Sequence, residues 1–469
     1  MNTYIGLTIG PIYETLSSAR KTRELWGASA LFSYMMREMI LRLQQEGALF
    51  IVPDLSRFRL DARCGVGVFH DRFICTQTTL EKVREIQSSV VSEIAETVGK
   101  NAEAKEWLKS YIQCSIAEAE LDDANVILGM GEILDTLELH TKIPVPESSN
   151  PLQTFLRERL SGSFLTKAFL PTQKISFDSL PEIAARDVLN AMNDDTVIDD
   201  FESIRNHPSF KQPHSYIAIV HADGDNFGTY IKSLDSIESQ QQFSRRIFEY
   251  STRIVDVVSA HGGAAIFAGG DDLLAFLPVV FNNQTFFDAV KSIDELFDSY
   301  FSDTGATLSY GFSVTYHKFP LYEALEKSRN ALYTSKSKGK NAITVSAQKH
   351  SGQSFELTIP KNNPEWTEAF ASLLKSVVTE KTDLPHSIHH KLDLYKHLLN
   401  AIGHDQERLH AFMENNFNEE IHKNRFSAGL KHIQQIILAI YNDPSVAKNQ
   451  KFDQLFAALS MIKLLRGDR

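Results

Sequence analysis

The chain has 469 residues, 43% hydrophobic and 23% charged, with a formal net charge of −11. That length points to roughly three domains, and the balance of residue types is that of a globular protein in water. No apolar run reaches the ~18 residues of a membrane span, and the acid surplus excludes a protein that coats free nucleic acid by itself, though not a subunit of an assembly that holds it.

The N-terminal stretch MNTYIGLTIGPIYETL has neither a basic leader nor a cleavage site, so no secretory signal is expected. Cys64, Cys75 and Cys114 form no CxxC pair, which excludes a disulfide framework or a four-cysteine zinc ribbon within the chain. A reducing cytoplasm is the expected location, with no membrane partner.

TYIGLTI (3–9) reads as a buried strand, Gly10-Pro11 as a turn, and YETLSSARKTRELW as the start of a helical pattern. A second helix, ASALFSYMMREMILRLQQEG, closes at Gly47; ALFIVP follows as a strand and GVGVFHDRFICTQ (65–77) as a hairpin. With the helix TLEKVREIQSSVVSEIAETV after it, this βαβ-and-hairpin order predicts a ferredoxin-like α+β domain over residues 1–100. Residues 101–212 read as mainly helical, with a loop at IPVPESSNP and a polar linker at RNHPSFKQPH.

The pattern then repeats. SYIAIVH (215–221) is a strand, ADGDNFG a turn and QQFSRRIFEYSTRIVDVVSA a long helix. IFAGGDDLLAFL (266–277) is a hairpin, FFDAVKSIDELFDSYF a helix, ATLSYGFSVTY a strand and PLYEALEKSRNALYTSK a helix, with AITV as a late edge strand. This predicts a second ferredoxin-like domain over 213–350, the acidic copy of a degenerate tandem repeat. From about 351 to 469 helical patterns dominate, which predicts an all-helical C-terminal domain. The fold class expected is α+β: two ferredoxin-like palms with helical middle and C-terminal domains.

Chemistry concentrates in the second repeat. A hairpin turn needs only residues that tolerate positive φ, which Gly269 and Gly270 supply, so the adjacent Asp271 and Asp272 exceed what the turn requires. Neighbouring carboxylates disfavour each other's ionisation unless a cation stands between them. Asp223 ends a strand that is adjacent to this hairpin in a ferredoxin-like sheet, so three carboxylates would converge. They would hold two Mg²⁺ (or Mn²⁺) ions about 4 Å apart, the spacing that activates a hydroxyl and steadies a leaving phosphate. Gly224 would let the backbone approach a metal or phosphate. Asp225 and Asn226 read as a turn and a helix N-cap, or as nucleotide contacts together with Phe227. Lys336, Lys338 and Lys340 close a helix, where lysines ordinarily complement the dipole and beside a triphosphate would fix its charge. Ser309 and Gly311 on the neighbouring strand mean either tight packing or room for a nucleotide.

DGDNFG, AGGDDLLAF, LSYGFSVTYHKFPLYEAL and SKSKGKN together resemble the catalytic palm of GGDEF-type nucleotidyl cyclases, and more closely the GGDD palm of the large polymerase-like subunit of type III CRISPR effectors. IGLTIGPIYETLSSARKTRELWGASALFSY is similar to the opening of that subunit's non-catalytic cyclase-like domain in Cmr-type (III-B) complexes. The resemblance implies an enzyme that target RNA switches on to join ATP-derived adenylates into a cyclic oligoadenylate messenger. It implies other CRISPR subunits, CRISPR RNA and target RNA as partners. Asp223, Asp271 and Asp272 would hold the metals; Lys336 and Lys340 match positions that meet triphosphate oxygens, and Gly269 and Gly270 flank the nucleotide. Many relatives begin with an HD nuclease, for which residues before this first palm leave no room, so DNA cleavage is not expected. Of the HD dipeptides, His70-Asp71 falls in the expected hairpin, and His404-Asp405, near His386, His389 and His390 on helical segments, reads as histidines of solvated helices rather than a metal site. The alternatives are AMP transfer to another acceptor such as S-adenosylmethionine, an inert structural subunit of the complex, and a free-standing diguanylate-type cyclase.

Overall fold

The computed structural model describes residues 2–467 except 57, 59–65, 141–143, 145–149, 159–177, 193–200, 350–351, 381, 386 and 418–425. Cys64, His386 and most of the IPVPESSNP loop lie outside the described residues.

Tyr4 to Ile9 are buried without a break because their strand, β1 (Asn2–Gly10), lies inside a sheet with neighbours on both sides. Its partners are β3 (Arg72–Thr76) and β4 (Gln113–Leu121), and β2 (Leu49–Val52) pairs with β3 at the edge. All three pairings are antiparallel, in the order β2-β3-β1-β4. Helices Thr22–Gln45 and Leu80–Val98 bury apolar stripes against it, with Leu31, Met35, Met39, Val83 and Val90 in the common core.

The second sheet repeats this order. β5 (Tyr216–Asp225) lies between β10 (Thr307–Tyr316) and β7 (Asp272–Pro278), with β6 (Ala264–Gly269) outside β7. The series β6-β7-β5-β10 matches β2-β3-β1-β4 strand for strand, so the tandem repeat read in the sequence is present in the topology. β11 (Ala342–Gln348) adds parallel to β10 through the helix Leu321–Ser337, and β12 (Ser354–Pro360) pairs antiparallel beyond it. A short hairpin of β8 (Val280–Phe281) and β9 (Gln284–Thr285) leads into the helix Phe286–Phe301.

Three boundaries differ from expectation. The first sheet needs β4, so its unit extends past residue 100, and the helix Val126–Glu138 packs against it through Met130 and Leu134. Among the described residues of 65–77 only Arg72–Thr76 is a strand, paired with β1 and β2 and not with a hairpin mate, while Gly67 forms a bridge to Phe267 of the second palm. β12 lies beyond residue 350, so the second sheet runs to Pro360 before the C-terminal helices begin at Pro364.

The two palms share one apolar core and a polar seam. Ala268 N donates to the Gly67 carbonyl (2.8 Å) and Ser29 Oγ to the Ile266 carbonyl (2.7 Å). Gln241 donates to the Phe50 carbonyl (2.8 Å), and Arg245 pairs with Asp54 at 3.1 Å. Among the described residues no helix is long and apolar enough to cross a membrane.

Candidate functional site

β6 and β7 pair down to Gly269 and Asp272, leaving a two-residue turn of Gly270 and Asp271. Of the two glycines expected to supply left-handed backbone, only Gly270 does (φ 72°), the first-position preference of such short loops. Gly269 is needed for space instead: a Cβ there would lie 2.4 Å from the Phe267 ring. The turn is tied from below, where Ser251 Oγ in the helix Ile237–Ala260 donates to the Gly270 carbonyl (2.9 Å).

Asp223 and Gly224 close β5 beside this turn. A Cβ on Gly224 would stand 2.4 Å from Asp271 Oδ2, so only glycine lets that carboxylate lie against the strand. Lys336, in the last turn of Leu321–Ser337, reaches the same place. Its Nζ lies 2.5 Å from Asp223 Oδ2 and 3.9 Å from Asp225 Oδ1, and donates to the Gly224 carbonyl at 3.1 Å. Lys340 Nζ donates to Asn226 Oδ1 (3.0 Å). Lys338 turns away and donates to Thr358 (3.2 Å).

Four expected nucleotide contacts have other duties. Asp225 is buried, and its Oδ2 accepts from Thr307 Oγ1 (3.0 Å), Ser309 Oγ (2.7 Å) and the Asn341 amide (2.9 Å), which fastens β5 to β10 and to the lysine loop. Ser309 is therefore a buried strut, not an opening. Phe227 is buried among Phe243, Phe297 and Phe301, with ring centroids 5.1–5.7 Å away. Asn226 takes the N-cap position of a short helix in left-handed geometry (φ 68°) but its side chain caps nothing; it holds Lys340. Gly311 serves packing: a Cβ there would meet the Leu332 amide nitrogen at 2.0 Å.

The acidic groups face a cleft of about 730 Å³ between the palms, walled by Asp223, Asp271 and Asp272 on one side and by Tyr13, His70 and Glu138 among others on the opposite side. Burial, then the charge of Asp223, pushes the Asp271 carboxyl up to about 6. Asp272 is exposed to the cleft yet ringed by protein, and burial with Asp271, Asp223 and Asp71 raises it as well. These mutual effects show that the three carboxylates act on one another across the hairpin and the end of β5. Their hard oxygens, with the Gly224 carbonyl, form a donor set that suits Mg²⁺ or Mn²⁺. Among the described residues no group of three or more His, Cys, Asp or Glu closes around one point; Lys336 holds Asp223 instead.

The sequence reading passed over the first palm's share of this cleft. The His70 ring lies over Gly270, where a Cβ would meet it at 2.3 Å, and burial lowers its pKa to about 4. Arg72 is held by Asp135 (2.6 Å) and Glu138 (2.9 Å), and Arg329 stacks on Tyr13 at 3.6 Å. His221, two residues before Asp223, also lines the cleft; period-two spacing from the aspartate was the signal that would have found it. Asp405 of the second HD dipeptide caps the helix Gln406–Asn416 by accepting from the Arg408 amide (3.0 Å).

Comparison with known families matches both halves of the cleft. Residues 4–109 match the N-terminal domain of the CRISPR-associated protein Cmr2, and residues 216–344 match the second palm domain of Cas10/Cmr2. The chain belongs to the Cas10/Cmr2 family. Both matched stretches are thus domains of the kind found in Cmr2-type proteins. A Cmr2 subunit from Pyrococcus furiosus is 30% identical over 171 residues, which is 30% of this chain and 20% of that protein, so the alignment spans only a fifth of the relative. Among solved Cas10-type structures, a type III-B Cmr-beta complex in the apo state matches with TM-score 0.56 at 11% identity, covering 85% of this chain and 75% of that one. Csm1 from T. onnurineus matches with TM-score 0.54 at 13% identity over 97% and 69%. A Csm1–Csm4 cassette in complex with cA4 gives 0.51 at 13% over 99% and 70%. At these identities the likeness is one of fold, and it extends through the helical segments that carry no family motif.

Proposed function

We propose that this chain is the RNA-activated nucleotidyltransferase of a III-B-like CRISPR complex, using ATP and Mg²⁺ to make a nucleotide second messenger. The observation that carries the reading is the meeting of Asp223, Asp271 and Asp272 beside Lys336 at a cleft wide enough for nucleotides. Similar Csm1–Csm4 structures are complexes with one ATP and with cA4, which supports ATP as substrate and a cyclic oligoadenylate as product.

Asp223, Asp271, Asp272 and the Gly224 carbonyl would hold the metal, which supplies charge neutralisation at the transferring phosphoryl group and a more acidic attacking hydroxyl. The chain's own residues do the rest. Lys336 and Lys340 meet the β- and γ-phosphates, and Asp225 fixes the strand ends and the loop that aim them. The two palm walls hold donor and acceptor against each other, so that a ribose 3′-oxygen forms the new bond to the α-phosphorus as the bond to pyrophosphate breaks. The buried underside of the sheet keeps the hairpin from moving during transfer.

The acceptor has a second reading with support of its own. The first palm presents Glu14, Asp71 and Glu138 to the cleft, whereas Arg72 is already paired with Asp135 and Glu138. An acidic wall favours a cationic acceptor such as the sulfonium of S-adenosylmethionine over a second triphosphate.

The test is to incubate the reconstituted complex with labelled ATP, Mg²⁺ and cognate target RNA, with and without S-adenosylmethionine. Cyclic adenylate products support the first acceptor and a conjugate supports the second; either should disappear in Asp271→Ala/Asp272→Ala with assembly intact. Absence of product under every condition would assign the chain a structural role.

A further inference from the structure

Lys336 sits where a cation belongs. Its ammonium contacts Asp223 Oδ2 at 2.5 Å and the Gly224 carbonyl at 3.1 Å, a carboxylate and the next carbonyl along the strand. The third oxygen facing it, Asp225 Oδ1 at 3.9 Å, is buried and has no hydrogen-bond partner among the described residues. Carboxylate and carbonyl oxygens are the ligands hard divalent ions take, and an ammonium and a divalent ion cannot share one pair of them. The helix bearing Lys336 cannot carry it away. Gly311 brings β10 against that helix at Leu332, and Ser335 Oγ donates to the Tyr310 carbonyl at 2.7 Å. That leaves the flexible four-carbon side chain as the part of Lys336 that can move.

We infer that Lys336 is the resident cation of the metal site in the nucleotide-free protein, and that a divalent ion takes its place only after a nucleotide's β- and γ-phosphates draw the ammonium off Asp223 and Gly224. Lys336 then does more than bind phosphate. It makes metal uptake conditional on a polyphosphate, so that AMP does not load the site. The inference rests on the metal–nucleotide reading of the palm given above.

The experiment titrates the full chain with Mn²⁺ and follows free Mn²⁺ by electron paramagnetic resonance, with no nucleotide, with AMP and with a non-hydrolysable ATP analogue. Lys336→Met and Lys336→Gln are compared with wild type, the glutamine retaining a neutral donor toward Gly224; thermal melting confirms that each is folded. Expected is a nucleotide-free Mn²⁺ affinity at least about tenfold tighter in a folded Lys336 variant than in wild type, and a wild-type site that gains Mn²⁺ with the ATP analogue but not with AMP. Equal nucleotide-free affinity in wild type and the folded variants overturns the exchange while leaving the metal site standing. If wild type binds no Mn²⁺ beyond that held by the ATP analogue, and Asp272→Asn changes nothing, the metal reading falls and the exchange with it.

Discussion

Asp271 carries an electrostatic load that stability measurements should reveal. A free aspartate titrates near 4, whereas burial and Asp223 raise Asp271 to about 6 in the folded chain. The folded state therefore holds a proton the unfolded chain has lost across pH 4 to 6, so this group's favourable contribution fades as pH rises through that window. Metal-free protein should lose on the order of 2 kcal/mol from this source. Asp271→Asn should flatten the loss and raise the melting temperature at pH 8 while abolishing nucleotide transfer; chemical denaturation at several pH values reads the first effect and labelled ATP the second. The sequence made the doubled aspartate legible because it exceeded the needs of a turn. It assigned Asp223 to the metal but left Asp225 between a turn residue and a nucleotide contact. Both end the same strand at a spacing of two, and only the close approach of β10, with Thr307 and Ser309 donating, decides that Asp225 is the inward strut. Phe227 was misjudged for a like reason: whether an aromatic next to a phosphate-type turn meets a ligand or a core depends on the distant helices Ile237–Ala260 and Phe286–Phe301.

At the scale of elements, long periodic helices and the apolar strands β1, β5 and β7 announced themselves, and strands at sheet edges did not. QCSIAEAEL is partly exposed along its whole length, and its alanines and glutamates favour helix, so β4 reads as a continuation of the helix before it. β12 carries alternation and β-branched residues but lies past the point where a ferredoxin-like unit is complete. The helix Leu321–Ser337 shows how element packing governs the site. Gly311→Ala would drive a methyl into backbone at Leu332, which cannot rotate away, and should destabilise the protein by about 1–3 kcal/mol. Because that helix sets the reach of Lys336, ATP affinity should fall even at temperatures where circular dichroism shows the variant folded.

The molecule as a whole joins a palm that carries the acidic hairpin to a copy that lacks it through buried polar contacts, and the pair should unfold together. Arg245 and Asp54 form an ion pair across this seam with little exposure on either side. Arg245→Ala leaves the Asp54 carboxylate largely without its counter-charge and should cost about 2–3 kcal/mol. Calorimetry is expected to show one lowered transition for the two palms; two separate transitions in the wild type would mean that the palms fold independently. The resemblance between the repeats was visible in strand order, but the seam was not, since a short segment around Gly67 carries no periodic signal.

That segment has a consequence for how the protein meets its neighbours. Open sheets tend to recruit foreign strands along their unpaired margins. Here the β6 margin is occupied by Gly67, and at the opposite margin the Thr358 amide of β12 is taken by Gln454 from the helix Lys451–Arg466 (2.8 Å). Each margin of the six-stranded sheet is thus met from within at one point, where a visiting backbone finds its place already taken.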